Sequence, residues 1–456
     1  MQFMLAEKAM RFGVEAGLVL GASVAVLAFG GTAPQFFALT EVIILALGIL
    51  LVAAGGVSLA SFARLPILLP GILIGLAALQ ILPLPAFLAG AFSGRNPGAS
   101  SYFTISVAPY DTVSSLLLLV TCITAFYLVL VLCEDRKARK RIVFWLLGIG
   151  TFEAFYGLIQ YLTGWQQIFG YVKKYYLQDA TGTYVNRNHF AGLLEIVLPF
   201  AVALALQQGR RLRRNEREVK RRTRESLSST EFFLLMFWVF LAAILFAALF
   251  FSRSRMGIIA AFVSVGAVLA LAGSSSLSVK ARLAVGALFL VGVCGLAVWI
   301  GSDPVIRRFE TLGHEYAGTG QDRVSIWRDT LHLIRAHPLL GTGLGTFATS
   351  YTSVQTAFLS LLVDHAHNDY LEFAAELGIP GAMLLFGAVF WTLWLMLKHS
   401  RRAREGLDKS ICTGCFGSIT AVLVHSVADF NLHIPANALV FAIVLALGWS
   451  TVRHQE

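Results

Sequence analysis

Residues 231–251 read EFFLLMFWVFLAAILFAALFF, and after the turn Ser252-Arg253-Ser254-Arg255 residues 257–273 resume as GIIAAFVSVGAVLALAG. From Phe232 to Phe251 no side chain carries a charge. A bilayer core about 30 Å thick takes roughly 20 such residues as a helix, so both stretches predict membrane spans. Working outward, the same pattern recurs near 12–30, 36–57, 65–89, 112–132, 142–163, 188–207, 231–251, 257–273, 283–301, 378–397, 411–430 and 435–452. The third run contains Pro66, Pro70, Pro83 and Pro85 and is expected to kink or end early. Over all 456 residues, 57% are hydrophobic and 14% charged, with a mean hydropathy of +0.72. A soluble domain is about a quarter charged, and a disordered chain is richer still in charge and poorer in apolar residues. The fold class is therefore an all-α polytopic integral membrane protein with about 12 transmembrane helices.

Orientation follows from Lys and Arg, which collect in cytoplasmic loops. Glu134 to Arg141 (EDRKARKR) carries five basic residues, Arg210 to Arg224 (RRLRRNEREVKRRTR) nine, and Lys398 to Lys409 (KHSRRAREGLDK) five. Twelve spans with a cytoplasmic N-terminus place all three blocks on the cytoplasmic side. The net charge of +10 thus marks topology; nucleic-acid binding would need one shared basic surface. The largest block also suits anionic lipid, although a plain stop-transfer loop explains it more simply. The first span serves as a start-transfer helix, so no cleavable signal peptide is expected, and no internal repeat stands out.

Four stretches then face outward: 90–111, 164–187, the turn 252–256 and the long connection 302–377. Within the last, Asp322 to Arg335 (DRVSIWRDTLHLIR) sets Val324, Trp327, Leu331 and Ile334 on one helical face. That spacing predicts an amphipathic helix at the membrane surface. The five cysteines form no disulfide framework. Cys412 and Cys415 lack the second pair or histidine partner of a metal site.

Chemistry is expected where polar groups appear against the cost of the bilayer. Arg253 and Arg255 break the positive-inside bias. Snorkelling accounts for them blandly; a guanidinium clamp on phosphate accounts for them chemically, through arginine's planar fork of donors. Residues 182–192 (GTYVNRNHFAG) gather Asn186, Arg187, Asn188 and His189 at an outward helix end. One asparagine serves as an N-cap, and the others suit sugar hydroxyls and a pyrophosphate. Residues 364–372 (DHAHNDYLE) contain His365, His367 and Asn368. An imidazole titrating near 6.5 suits general-base work, with Asp364 or Asp369 placed to orient it. No third and fourth ligand follow at recognisable spacing, so zinc is not expected. Gly341-Thr342-Gly343-Leu344-Gly345 reads as a tight turn after His337-Pro338, not as a nucleotide loop. His425 and Asp429 lie one turn apart in the eleventh run, followed by Asn431, His433 and Asn437. They suit either support of a site or direct chemistry.

Together these motifs resemble the O-antigen ligase and polymerase superfamily over roughly residues 180–450. His367-Asn368, nine residues, Gly378, two residues and Gly381 reproduce the family's outer-loop signature. Ser254-Arg255-Met256-Gly257 resembles its Ser-Arg-Gly element, with Arg255 preferred to Arg253 as the equivalent arginine. Arg323, Trp327, Pro338 and Gly341-Thr342-Gly343 are similar to its Arg…Trp…Pro-x-x-Gly-x-Gly stretch, and Thr183 to Gly192 to its Asn-x-Asn-His-Phe-Ala segment.

The resemblance implies a membrane glycosyltransferase of the C type (GT-C) with a long helical periplasmic loop. Its donor would be a glycan on undecaprenyl diphosphate at the outer face of the bacterial inner membrane, used without cofactor, nucleotide sugar or metal. The organisation expected is N-terminal helices over 1–180, central helices with the Asn/His and Ser-Arg elements over 181–301, the periplasmic loop over 302–377 and C-terminal helices over 378–456. His367 and Arg255 would be catalytic. Arg253, Arg187, Arg323, Asn186, Asn188, His189, His365 and Asn368 would bind diphosphate or glycan. The acceptor is another glycan in a polymerase or lipid A core in a ligase; His365-Ala366-His367 and the tail from His425 to Pro435 look more like exopolysaccharide polymerases. Membrane lipids, a polysaccharide flippase and a chain-length regulator are further expected partners, and nucleic acid is not. A lipid-linked oligosaccharide flippase fits less well, because transporters usually carry two similar halves and midplane charges. A non-catalytic export scaffold would not need the His-Asn and Arg elements together.

Overall fold

The computed structural model describes residues 2–54, 66–88, 102–222, 229–272, 323–356, 362–400 and 406–453. The chain begins with α1 (Gln2–Leu27), α2 (Pro34–Ala53), α3 (Leu68–Ile81), α4 (Pro109–Leu132) and α5 (Arg136–Thr163). Next come α6 (Arg187–Arg222), α7 (Ser229–Phe251), α8 (Arg255–Ala272), α9 (Arg323–Ala336) and the short α10 (Phe347–Tyr351). The last three are α11 (Asp369–Ser400), α12 (Leu407–His425) and α13 (Pro435–Arg453). Strands among the described residues amount to two hairpins, β1 (Leu84–Pro85) with β2 (Tyr102–Phe103), and β3 (Gln167–Ile168) with β4 (Tyr171–Val172).

Ten of these helices are long and apolar enough to cross a membrane, as expected of a multi-pass membrane protein. The third run is shorter than expected: α3 has 14 residues and stops at Ile81, ahead of Pro83. The ninth run, 283–301, lies outside the described residues, as do Cys294 and residues 302–322. α6 sits at the centre, with 94% of its apolar window buried against α5, α7, α8 and α12. α13 packs on both α1 and α4, so the first and last spans share one bundle.

The basic blocks meet at one end. Asp408 pairs with Arg136 at 3.1 Å and Arg139 at 3.5 Å, while Arg210, Arg211 and Arg214 share a cavity with Lys409. The start of α1 joins them through Arg11–Glu134 at 3.5 Å and Glu15–Arg141 at 2.5 Å. All these groups therefore lie at one end of the helical bundle.

One expectation needs correction. The eleventh run is not a helix to residue 430. α12 ends at His425, and Asp429 sits in the following turn, where its own Oδ1 accepts from the Phe430 amide at 2.9 Å. Apolar Val427, Ala428 and Phe430 disguise that turn in a hydropathy reading. The amphipathic helix forms as α9 and has a second, protein-facing side. α9 buries Ile326, Asp329, Thr330, Leu333 and Ile334, while Val324 and Leu331 are exposed. The reason is specific pairing: Asp329 accepts from Tyr351 Oη at 3.1 Å and from the Thr356 amide at 2.9 Å. A buried face can therefore carry polar residues.

α11 starts at Asp369, nine residues before the tenth run, and breaks at Gly378 (φ 73°). Here it crosses the Gly341–Gly345 turn backbone to backbone. Ile379 donates to Pro338 O at 2.8 Å, Thr342 to Ala375 O at 2.9 Å and Gly343 to Glu376 O at 3.1 Å. Gln80 of α3 seals the crossing, donating to Leu340 O at 2.6 Å and Glu376 O at 2.8 Å. A Cβ on Gly378 would strike Leu339 O, and a left-handed alanine costs about 1–3 kcal/mol before any clash. Gly378→Ala is expected to lower the melting temperature of the purified protein in detergent. Gly75→Ala, which meets nothing within 4 Å, should leave it within error.

Candidate functional site

At the end opposite the basic blocks, three segments meet: the start of α6, residues 362–369 ahead of α11, and residues 426–434 between α12 and α13. Phe430 lies where they join. His365 stacks on its ring at 3.9 Å and 13°, while His189 and His367 approach edge-on at 4.9 Å and 5.0 Å. Three histidines from two distant motifs thus share one apolar ring.

His367 adopts φ +51°, a left-handed conformation rare for a residue with a side chain. It is locked from both sides. Trp327 Nε1 donates to Ala366 O at 3.0 Å, and Asn368 Oδ1 caps α11 by accepting from the Leu371 amide at 3.1 Å. The Asn368 amide nitrogen donates to Val427 O at 2.8 Å. His367 Nδ1 then faces Asp429 Oδ1 at 3.9 Å, an ion-pair separation rather than a hydrogen bond. Burial pushes the Asp429 carboxyl up, but His367, His425 and the Arg323 guanidinium more than offset this and hold it well below the usual carboxylate range. Arg323 is fixed by donating to Ala428 O at 2.6 Å. Behind Asp429 the sequence of groups continues into the bundle: His425 Nε2 lies 3.8 Å from Asp429 Oδ2, and its Nδ1 lies 2.8 Å from Glu195 Oε2.

A second charged group stands beside the first. Asp369, Glu372 and Glu376 occur at i, i+3 and i+7, one face of a helix. His433 Nδ1 bonds Asp369 Oδ1 at 2.8 Å, and its Nε2 faces Glu372 at 3.5 Å and Glu376 at 3.6 Å. His365 Nδ1 bonds Glu372 Oε1 at 2.6 Å. Ligand atoms of Glu372, Glu376 and His433 lie within 4.8 Å of one another, the one set of this kind among the described residues that could hold a metal ion. The same atoms also satisfy one another as imidazolium and carboxylates.

The arginines of the sequence motifs form a third group. Asp179 receives Arg187 Nη1 and Arg253 Nε, each at 2.7 Å, and Arg253 also donates to Gln178 O. Arg253 has φ +56° and Tyr176, whose ring Arg187 covers at 5.1 Å, has φ +55°. Lys173 Nζ donates to Asp179 O at 3.0 Å. Burial lowers the lysine to about 8, with Asp179 opposing the shift. Arg255 opens α8 two residues beyond Arg253. Gly257 in the next turn lies so close to Ala191 that an added Cβ would sit 2.7 Å from its methyl. The Arg255 end of α8 is thereby tied to the His189 turn of α6.

Of the residues singled out from sequence, His189, His365 and His367 come together on Phe430. Arg323 stands behind Asp429, and Arg187 and Arg253 share Asp179. Asn186 caps α6, its Oδ1 accepting from the Asn188 amide at 2.9 Å and its amide lying 3.4 Å from His189 Nε2. Sequence reasoning assigned no role to Phe430, Asp179, Lys173, Glu195, Glu372 or Glu376. The helical spacing of the acids and a lone glutamate inside the sixth apolar run were the available signals.

Burial lowers His365 and His433, but their carboxylate partners outweigh it, Glu372 foremost in both, so both lie above the ordinary 6.5 and His433 well above. A raised folded value means the stabilisation is complete below about pH 6.5 and is lost as pH rises through the folded value. Thermal stability should therefore fall on the alkaline side. His433→Gln should flatten that fall; an unchanged slope would remove these groups as its cause.

Residues 240–386 match the family model described as O-antigen ligase. The matched region contains Arg253, Arg255, Arg323, His365, His367 and Asn368, and ends before Asp429. No curated protein matches the chain. The match, made by a mostly helical membrane protein, supports the chain's placement in the O-antigen ligase and polymerase superfamily, a class of glycosyltransferase-like enzymes.

Proposed function

We propose that the protein is a membrane glycosyltransferase that polymerises O-antigen or exopolysaccharide repeat units. The donor is undecaprenyl-diphosphate-linked oligosaccharide, taken at the periplasmic face of the inner membrane by a GT-C-type enzyme. The observation that carries this reading is His367, held in a strained backbone with Asp429 at its Nδ1. Tightening of this contact in the substrate complex would keep the proton on Nδ1 and leave Nε2 free to accept one. The topology supports the periplasmic assignment, because the site lies opposite the Lys/Arg-rich end.

In the proposed step an acceptor hydroxyl attacks the anomeric carbon and gives its proton to His367 Nε2. The bond from that carbon to the diphosphate oxygen breaks, undecaprenyl diphosphate leaves with the electron pair, and the configuration inverts. The leaving group gains negative charge. Arg255 is the proposed catalytic cation, assisted by Arg253, Arg187 and Lys173, which gather on Asp179. Two guanidiniums sharing the single Asp179 carboxylate retain an excess positive charge for a diphosphate. His189, His365 and Arg323 line the acceptor side, and Asn186, Asn188 and Asn368 hold the two helix starts and offer polar contacts to the glycan. A fixed positive field of this kind takes the place of a metal ion, so the reaction is proposed to be metal-independent.

A ligase that transfers the glycan to lipid A core is the second reading, favoured by the description of the matched family. Purified protein supplied only with lipid-linked repeat units should yield a ladder of products. A product that appears only when lipid A core is added would establish the ligase instead.

In the ladder assay, His367→Ala in a well-expressed variant should cut turnover about 100- to 10,000-fold, and Arg255→Ala about 100- to 1000-fold. Full polymer from the His367 variant would refute the catalytic assignment. Chelation with EDTA should leave the rate unchanged. Loss of activity that returns with a divalent ion would point to Glu372, Glu376 and His433 as a metal site.

A further inference from the structure

Along α6, His189 and Arg210 are separated by roughly 32 Å at 1.5 Å per residue, about the thickness of the hydrocarbon core. At the Arg210 end, α6, α8 and α12 enclose a cavity of about 690 Å³ including its open mouth. We propose that this cavity binds a phosphate-bearing anion, the headgroup of an anionic phospholipid. The inference is independent of the reaction proposed for the opposite end.

The cavity is lined by Arg210, Arg211 and Arg214 of α6 and by Lys409 of α12. Lys409 is 6% exposed, and its ammonium has no hydrogen bond or ion pair among the described residues. Asp408 is held away by Arg136 and Arg139, and Glu231 pairs with one lining cation, Arg211, at 3.3 Å, so the lining keeps an excess of positive charge. Lys409 lines the cavity with an ammonium unpaired among the described residues, and an anion there would supply the missing partner. Ala203 and Ala272 line the same space and offer apolar surface for the glycerol and first methylenes of a lipid. A free phosphate ion has no use for that surface. Basic pockets between spans on the cytoplasmic side are a recognised form of lipid-headgroup site.

The test uses the full chain in detergent, titrated separately with phosphatidylglycerol and phosphatidylcholine, with bound lipid read by native mass spectrometry. Phosphatidylglycerol should be retained in preference. Lys409→Gln should weaken it about fivefold, and Arg210→Gln with Arg214→Gln about twenty-fivefold, at roughly fivefold per cation. Arg213→Gln, exposed and outside the cavity, should match the wild type, which separates the pocket from general attraction to a basic segment. Equal retention of the two lipids, or wild-type retention by both cavity variants, would overturn the proposal. Inorganic phosphate that displaces the lipid and shows the same variant pattern would overturn the lipid assignment in favour of a soluble anion.

Discussion

The carboxylate of Asp369 is the constraint on which the far end of the molecule depends. It accepts from Ser426 Oγ at 2.7 Å, from His433 Nδ1 at 2.8 Å and from the Leu432 amide at 3.3 Å. Its own amide donates to the carbonyls of Ser426 and Asp429 at 3.0 and 3.1 Å. One residue thus joins the first turn of α11 to the irregular chain between α12 and α13. His367 lies two residues before it and Asp429 lies in the turn it grips, so their separation is set by this junction. Irregular buried backbone persists only where protein satisfies its polar groups, and Asp369 supplies several of those bonds here.

The same requirement explains the segment that leads into α6. Buried Glu153 of α5 accepts from Thr183 through its amide at 2.8 Å and its hydroxyl at 2.7 Å. Tyr184 Oη donates to Asn437 Oδ1 at 3.0 Å, and the Asn437 amide donates to His189 O at 2.9 Å. The polar residues of this region are therefore of two kinds. Some hold irregular backbone against spans, and others, such as Arg187 and Arg253 on Asp179, gather charge at the end of the bundle. The distinction matters because both kinds look alike in a hydropathy profile.

That likeness marks the limit of what was legible beforehand. Long apolar helices follow directly from runs such as 231–251, because nothing but membrane explains twenty uncharged residues, and the start of α9 follows from its periodicity. Its protein-facing side, with Asp329 and Thr330 paired inside, was not legible, because pairings of polar side chains leave no apolar period. The turn after His425 was hidden for a related reason: Val427, Ala428 and Phe430 suit lipid and a packed loop equally. In the candidate site, His, Arg and Asn stood out against apolar surroundings. Their partners Asp179 and Glu195 did not, since pairings across distant segments leave no period in the chain.

Phe430 brings a further consequence. Its ring shields parts of His189, His365 and His367 at once, so these imidazoles share one boundary with water. Replacing that ring therefore removes a packing partner from all three together. The positions of the three imidazoles are thus coupled through one side chain contributed by a third segment of the chain.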